Sequence, residues 1–260
     1  MRLSAEGRCV VVTGGSQGLG LATAKAFAAA GADVALLARR AEPLEQACAE
    51  ISKLSSTRII PVVCDVAVAA DIERAYAAVV AATGRVDVVV NNAGRSQLFT
   101  VEGISDEVWQ DDLNLKLFAA IRLTRLAWPG MKERRWGRII NVLNTYAKAP
   151  AAGSAPTSVT RAAGMALTKV LAAEGAPHNI LANSLLVGLI ETEQTYKWHV
   201  ATKPDTPFEK FAGEVGKGIP MGRIGRAEEF GNAALFLGTD ASSYITGTAI
   251  NIDGGSCPVV

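Results

Sequence analysis

Short apolar runs alternate with longer segments of helical periodicity along most of the chain. The runs lack an alternation of polar and apolar residues, which is typical of parallel strands buried on both faces. The segments between them repeat apolar residues every three or four positions and therefore predict helices. The predicted strands are residues 9–12, 33–38, 59–64, 86–90, 138–143, 181–186 and 249–252, and the predicted helices are 19–30, 43–54, 71–82, 105–134, 154–171 and 227–237.

Two segments depart from this regular pattern. Pro129 lies inside the predicted helix 105–134, and a proline there should end or kink the helix. After the strand at 181–186, the chain has scattered glycine and proline, weak periodicity, and bulky residues such as Trp198 and Phe211. We expect residues 192–220 to form an irregular lid over a substrate, because long irregular inserts are usually functional or disordered.

Length and composition limit the classes of protein to consider. The chain has 260 residues, of which 49% are hydrophobic, and this predicts a single domain over residues 1–260. The formal net charge of +1 and the absence of a basic block argue against nucleic acid as a partner. The absence of a long apolar run or a signal-peptide pattern argues against a membrane partner and predicts a cytoplasmic protein. Four separated cysteines lack metal-ligand spacing, so we expect no metal and unreactive thiols.

The first strand runs into a glycine-rich turn with the sequence TGGSQGLG, and a helix follows directly. Glycines let the backbone approach a pyrophosphate, and the free N–H groups at the helix start stabilise its charge. Strand, turn and helix together predict a dinucleotide site. Its predicted cofactor-binding residues are Thr13, Gly14, Ser16, Gln17, Gly18, Leu19 and Gly20.

The end of the second strand bears on the choice of nucleotide. In dinucleotide folds a carboxylate here selects the ribose 2′-hydroxyl, whereas an arginine accommodates a 2′-phosphate. Ala38 offers no carboxylate, and Arg39 follows it. We therefore predict NADP(H) as the preferred cofactor, with NAD(H) as the alternative. Glu42 is the main argument against this preference, and a solvated strand end is the other interpretation of Arg39.

The third and fourth strands also end in candidate cofactor residues. Asp65 and Val66 follow the third strand, and the Asp65 carboxylate is suited either to an adenine amino group or to capping the helix 71–82. The fourth strand ends in Asn92, Ala93 and Gly94. The amide suits a link between neighbouring loops, and the small residues let a cofactor approach; an ordinary turn is the alternative.

The motifs TGGSQGLG, Asp65, NNAG and YITGTAINIDGG together resemble the short-chain dehydrogenase/reductase family, in particular its β-ketoacyl-reductase-like members. The resemblance covers essentially the whole chain. It implies a doubly wound parallel sheet (a Rossmann-type α/β fold) of about seven strands with helices on both faces, and hydride transfer between a nicotinamide and a carbonyl or alcohol. It further implies a small-molecule substrate and a homodimer or homotetramer that associates through the helix 154–171.

The same resemblance assigns site residues in the second half of the chain. Asn114 matches the family's helix asparagine, which helps hold a proton-relay water. Gly188, Ile190 and Thr192 match positions that contact the nicotinamide, although Val187 replaces the family's usual proline.

The chain departs from the family at the three positions that normally carry the chemistry. Asn144 stands where the family has its catalytic serine, Thr157 where it has tyrosine, and Arg161 where it has lysine. An aliphatic hydroxyl is a much weaker acid than a phenol, and a guanidinium effectively never releases its proton. Asn144 can still polarise a carbonyl, and Arg161 can still bind the nicotinamide ribose. Tyr146 is the candidate replacement acid, with Lys148 lowering its pKa; packing under the lid is the alternative.

These residues predict an NADP(H)-dependent short-chain oxidoreductase that acts on a carbonyl or alcohol with a non-standard proton-transfer site. Two alternatives stay open on the sequence. One is a nucleotide-binding pseudoenzyme that serves as a binding or regulatory subunit. The other is a non-redox lyase or hydratase that uses the same pocket.

Overall fold

The computed structural model describes residues 3–260, and a parallel sheet forms the centre of this part of the chain. Seven of the strands described within residues 3–260 form this sheet, in the order β3-β2-β1-β4-β6-β8-β9. A separate antiparallel pair joins β5 to β7. The strands are β1 (Cys9–Thr13), β2 (Asp33–Ala38), β3 (Ile59–Val63), β4 (Val88–Asn91), β5 (Leu98–Phe99), β6 (Gly137–Asn144), β7 (Ala155–Pro156), β8 (Ile180–Val187) and β9 (Ala249–Ile252).

Helices cover both faces of the sheet. The helices are α1 (Gly18–Ala29), α2 (Ala41–Ser52), α3 (Ala69–Thr83), α4 (Asp106–Leu113), α5 (Ala119–Glu133), α6 (Thr157–Gly175), α7 (Glu193–Thr202), α8 (Phe208–Gly216) and α9 (Ala227–Leu237). One core packs α1, α2 and α9 on the sheet through residues such as Phe27 and Phe230. The other packs α3 and α5 on the opposite face through residues such as Ile72 and Leu123. The predicted doubly wound α/β fold is confirmed.

The order of the strands determines where a ligand can bind. The chain builds β1, β2 and β3 towards one edge of the sheet and then returns to place β4 on the other side of β1. The loops that leave β1 and β4 therefore diverge, and a crevice opens between them at the carboxyl ends of these strands. Open α/β sheets bind their ligands in this crevice.

The predicted helix 105–134 is interrupted in the structure. A single π-helical turn, Asn114–Phe118, separates α4 from α5, and turns of this kind occur often at functional sites. The expected break at Pro129 does not end the helix, since α5 continues to Glu133. Leu123, Ala127 and Met131 are buried against the sheet on both sides of the proline, and this packing offsets the hydrogen bond that proline cannot make.

The prediction of an irregular segment at residues 192–220 is wrong, because α7 and α8 form there. The bulky residues that suggested a lid make contacts between these two helices, although Tyr196 and Trp198 each stay 43% exposed. The rings of Tyr196 and Phe208 stack with centroids 3.9 Å apart, and Trp198 meets Phe211 edge to face at 4.9 Å. Aromatic contacts of this kind stabilise a helix pair that lacks strong periodicity in its sequence.

None of the helices described between residues 3 and 260 has the length and apolarity needed to cross a bilayer. The four cysteines are free thiols. Burial raises the pKa of the Cys9 and Cys64 thiols to about 11, so little reactive thiolate forms at neutral pH.

Candidate active site

The glycine-rich turn between β1 and α1 forms one wall of the crevice. Gly14 and Gly18 have positive φ angles of 65° and 54°, which favour glycine. Gly20 is close to the turn's own backbone, because a Cβ placed there would lie 2.2 Å from the Gly14 carbonyl oxygen. Ser16, Gln17 and Leu19 lie in the same turn or the first turn of α1, as predicted from the motif.

Hydrogen bonds join this turn to the end of β4. The Thr13 hydroxyl accepts the backbone N–H groups of Asn92 and Ala93, each at 2.9 Å. The Asn92 amide in turn donates to the Thr13 carbonyl oxygen at 2.9 Å. These contacts agree with the prediction that Asn92 links the two loops.

Beside the turn lies a cavity of about 100 Å³. Five of the predicted cofactor residues line it: Gly14, Arg39, Val66, Ala93 and Gly94. Arg95, which was not predicted, lines it too, so two arginines line one cavity. Arg40 is directed elsewhere and donates to the Gln17 side chain at 3.2 Å.

Asp65 lies at the end of β3, but it is absent from the residues that line this cavity within the described chain. Its carboxylate accepts the backbone N–H of Ala67 at 3.0 Å, which is a local turn. It does not cap α3, whose N-cap residue is Val68. The capping alternative is therefore wrong, and the adenine contact stays a prediction.

The loop after β8 forms the opposite wall of the crevice. The Gly188 N–H donates to the Ile252 carbonyl oxygen at 3.0 Å, and a Cβ on Gly188 would clash with Asp253. Ile190 is buried. Thr192 faces the glycine turn, since a Cβ on Gly18 would lie 3.5 Å from its side chain.

The three positions that the sequence predicts to depart from the family site come from two adjacent elements. Asn144 ends β6, and Thr157 and Arg161 lie one helical turn apart at the start of α6. The Arg161 Nη1 group donates to the Val142 carbonyl oxygen at 2.6 Å and so ties α6 to β6. The Asn144 Oδ1 atom is buried, and it has no hydrogen-bond partner among residues 3–260.

Arg161 is a half-buried residue whose Nε atom is out of contact with solvent and lacks a partner within the described chain. Burial lowers the pKa of its guanidinium to about 10, while the negative charge of Asp112 acts in the opposite direction. The guanidinium also approaches Gly94, because a Cβ there would lie 2.5 Å from Nη2. Arg161 is thus a cation between β6 and the cofactor cavity.

Lys116 is the residue that the sequence interpretation missed. It lies in the π-helical turn, and its side chain is 1% exposed. Its ammonium donates to the Thr157 hydroxyl oxygen at 2.8 Å and forms an ion pair of 2.5 Å with Asp112. A small cavity of about 10 Å³, close to the space of one water molecule, lies between Lys116 and Arg161.

The surroundings of Lys116 favour its neutral form. Burial lowers the pKa of the Lys116 ammonium to about 8, and the positive charges of Arg161 and Arg95 add to this effect. The hydrogen bond and negative charge of Asp112 oppose it. A group whose pKa lies in this range can exchange a proton near neutral pH.

Asn114 and Tyr146 make different contacts from those expected of the family site. The Asn114 side chain accepts the Gln110 amide at 3.3 Å, and its carbonyl oxygen accepts the Ala119 N–H. Tyr146 is 37% exposed in the turn after β6. Lys148 is directed towards β9, where its ammonium donates to the Ala249 carbonyl oxygen at 2.6 Å and to Asn251 at 2.9 Å. The roles of Asn114 and Tyr146 stay predictions.

Comparison with known proteins gives the family of this chain. Residues 14–256 match the family described as Enoyl-(Acyl carrier protein) reductase. The chain is 31% identical over 257 residues to 3-oxoacyl-[acyl-carrier-protein] reductase FabG of Aquifex aeolicus, covering 98% of this chain and 99% of that protein. The chain belongs to the short-chain dehydrogenase/reductase family. The resemblance predicted from the motifs is thereby confirmed.

Solved structures of other family members share the whole fold. L-Sorbose reductase from Gluconobacter frateurii, complexed with NADPH and L-sorbose, superposes with a TM-score of 0.96 at 32% identity, with 100% of both chains covered. A short-chain oxidoreductase from Pseudomonas aeruginosa PAO1, described as containing an atypical catalytic center, has a TM-score of 0.92 at 33% identity, with 97% of this chain and 98% of that chain covered.

Proposed function

We propose that this short-chain dehydrogenase/reductase is an NADP(H)-dependent oxidoreductase that acts on the carbonyl or alcohol group of a small molecule. The observation that carries the proposal is the continuity of two sites. The cavity beside the glycine turn and the Arg161 guanidinium meet at Gly94, which lines the cavity and lies against that guanidinium. A ligand that fills the cavity therefore lies beside Arg161.

The residues present fit a dinucleotide phosphate. Thr13 and Asn92 hold the glycine turn in place, and the start of α1 that follows it suits a pyrophosphate. Arg39 and Arg95, which line the cavity, supply the type of side chain that binds a 2′-phosphate, while Ala38 supplies no carboxylate for a 2′-hydroxyl. NADPH-bound L-sorbose reductase, with the same fold, supports the assignment. When bound, the nicotinamide supplies hydride to a carbonyl carbon.

The side chains around the crevice have distinct tasks in this function. The Asn144 amide donates a hydrogen bond to the carbonyl oxygen and polarises it, and its buried Oδ1 atom has no partner within the described chain. Arg161 places a positive charge where negative charge develops on that oxygen. The segment 192–220, with α7 and α8, covers the substrate, since Tyr196 and Trp198 keep partly exposed faces there. A homodimer or homotetramer in the cytoplasm remains our prediction for its assembly and location.

Arg39→Ala is expected to weaken NADPH binding about tenfold or more while leaving NADH binding unchanged, because it removes one charge-assisted contact to phosphate. Wild-type affinity for NADPH should also fall with added salt, since recognition of a phosphate at an exposed arginine is ionic. Calorimetric titration of both nucleotides measures the two effects. Arg125→Ala is the matched control, since Arg125 is exposed on α5 and does not line the cavity. Equal wild-type affinities for NADPH and NADH would refute the cofactor assignment.

A further inference from the structure

Lys148 is a half-buried cation whose ammonium has neutral hydrogen-bond partners within residues 3–260. It follows the short turn Thr145–Ala147 that leaves β6. Its two acceptors, the Ala249 carbonyl oxygen at 2.6 Å and the Asn251 side-chain oxygen at 2.9 Å, lie on β9. Because β8 separates β6 from β9 in the sheet, the Lys148 side chain spans one strand and ties the loop after β6 to β9. Partial burial of an ammonium without a carboxylate costs free energy, so its position calls for an explanation.

The Asn251 amide is held from both ends. Its Oδ1 atom accepts the Lys148 ammonium, and its Nδ2 atom donates to the Val259 carbonyl oxygen at 3.1 Å. An ammonium can only donate and a carbonyl oxygen can only accept, so these two partners fix which end of the amide faces the lysine. Asn251 is therefore a pre-oriented acceptor for Lys148.

The end of β9 also holds two other segments beside the crevice. The Gly188 N–H, in the loop after β8, donates to the Ile252 carbonyl oxygen at 3.0 Å. The Met221 N–H, in the segment after α8, donates to the Gly254 carbonyl oxygen at 3.2 Å. Residues 249–254 therefore connect the loop after β6 with the loop that carries the predicted nicotinamide contacts and with the end of the predicted lid.

The contact of Lys148 with β9 reaches Asn144 through a short stretch of chain. Asn144 ends β6, and the three-residue turn separates it from Lys148. The backbone N–H groups of Lys148 and Ala149 both donate to the Thr145 carbonyl oxygen, at 3.0 and 3.1 Å, so this stretch is compact. The Asn144 Oδ1 atom has no partner within the described chain. The position of the Asn144 amide therefore depends on the backbone that Lys148 fastens.

We propose that Lys148 and Asn251 are positioning residues, which hold the Asn144 amide in register with the loop after β8 by fastening the loop after β6 to β9. This inference rests on the proposed function, in which Asn144 polarises the substrate carbonyl. A hydrogen bond to developing negative charge stabilises the transition state only at the correct distance and direction, and a misplacement of about 1 Å can cost about a hundredfold in rate. Both residues act through Asn144, so neither has to contact the substrate.

Lys148→Met is expected to lower kcat for carbonyl reduction about thirtyfold and to leave the Kd for NADPH within about twofold, since Lys148 does not line the cofactor cavity. Asn251→Leu removes one of the two acceptors and should lower kcat about tenfold. Asn251→Asp keeps an oxygen for the ammonium and should restore most of that loss. Lys132→Met, at an exposed position of α5, is the matched control. Turnover is measured with whichever of L-sorbose, a 3-oxoacyl thioester and a cyclic diketone the wild type reduces fastest.

The double variant Lys148→Met, Asn251→Leu separates one shared link from two independent structural effects. Because Asn251 acts through Lys148, the double variant should lose no more than Lys148→Met alone, about thirtyfold in kcat. Independent effects would multiply to about three-hundredfold. If Lys148→Met does not fold, the comparison of Asn251→Leu with Asn251→Asp provides the test.

Hydrogen exchange of the nucleotide-free protein, followed by mass spectrometry, measures the fastening without catalysis. A peptide that covers positions 145–152 should exchange about tenfold faster in Lys148→Met than in wild type, and Lys132→Met should leave its exchange unchanged. Unchanged exchange, turnover within threefold of wild type in a folded Lys148→Met, equal rates for Asn251→Leu and Asn251→Asp, or losses that multiply would overturn the inference and leave the proposed function standing. Wild-type protein that binds NADPH but reduces no carbonyl would overturn the proposed function, and the positioning role with it.

Discussion

Gly20→Ala is expected to weaken NADPH binding about a hundredfold or more, a loss of roughly 2.7 kcal/mol in binding free energy. A Cβ at this position would lie 2.2 Å from the Gly14 carbonyl oxygen and 2.7 Å from the Asn92 amide nitrogen. Both neighbours belong to the braced wall of the cofactor crevice, so the backbone itself must move. The displaced turn no longer directs its N–H groups at one pyrophosphate.

The binding of NADPH is measured by titration, alongside a thermal unfolding curve that reports any loss of fold. Gly213→Ala is the matched control, since Gly213 lies exposed in α8 with no atom within 4 Å of an added Cβ. Alanine there should leave NADPH binding unchanged and stabilise the helix slightly. If Gly20→Ala folds and binds NADPH as wild type does, the glycine turn is not the phosphate site.

Asp112→Asn is expected to destabilise the protein by about 3–5 kcal/mol, the usual effect of breaking a buried ion pair from one side. The ion pair with Lys116 is the one polar contact described for this carboxylate within residues 3–260. We therefore expect the Asp112 carboxylate to balance the positive charge of the Lys116 ammonium. The variant leaves Lys116 and Arg161 as neighbouring buried cations with no counter-charge between them. Chemical denaturation of wild type and variant measures the difference in free energy of unfolding.

The destabilisation by Asp112→Asn should depend on pH in a defined direction. Burial holds the folded pKa of Lys116 below its unfolded value, so the protonated lysine opposes folding at low pH and ceases to do so as the pH rises. Loss of Asp112 lowers that folded pKa further. The difference in free energy of unfolding between wild type and variant should therefore become smaller from about pH 6 to about pH 9. A gap that is constant with pH would show that Asp112 does not act on a titrating lysine.

Local patterns were sufficient to predict the sheet and the cofactor wall. Uninterrupted apolar runs such as residues 33–38 rarely form anything other than a buried parallel strand. The glycine spacing from Gly14 to Gly20 is needed because a side chain at Gly20 would clash with the Gly14 carbonyl oxygen. These features depend on neighbours in the chain. They can therefore be recognised without knowledge of the tertiary contacts.

Lys116 could not be recognised as a site residue in the same way, because its contact with the site is to Thr157, which lies 41 residues away in the sequence. A helical lysine is usually exposed, and the π-helical turn that rotates this one into the site has no simple sequence signature. One signal was present: Asp112 and Lys116 are spaced for an ion pair on one helical face. The error at residues 192–220 has a related cause, since the aromatic packing of α7 on α8 outweighs weak periodicity.

The central claim, that this chain reduces a carbonyl with NADPH, is tested most directly by following the transferred hydrogen. The wild-type protein is incubated with NADPH that carries deuterium at the transferable position and with L-sorbose, a 3-oxoacyl thioester and a cyclic diketone in turn. The account predicts that mass spectrometry finds deuterium on the former carbonyl carbon of at least one alcohol product, and that Arg39→Ala reduces the yield at limiting NADPH. Tight NADPH binding with no deuterium in any product would contradict the account and favour a nucleotide-binding protein without redox activity.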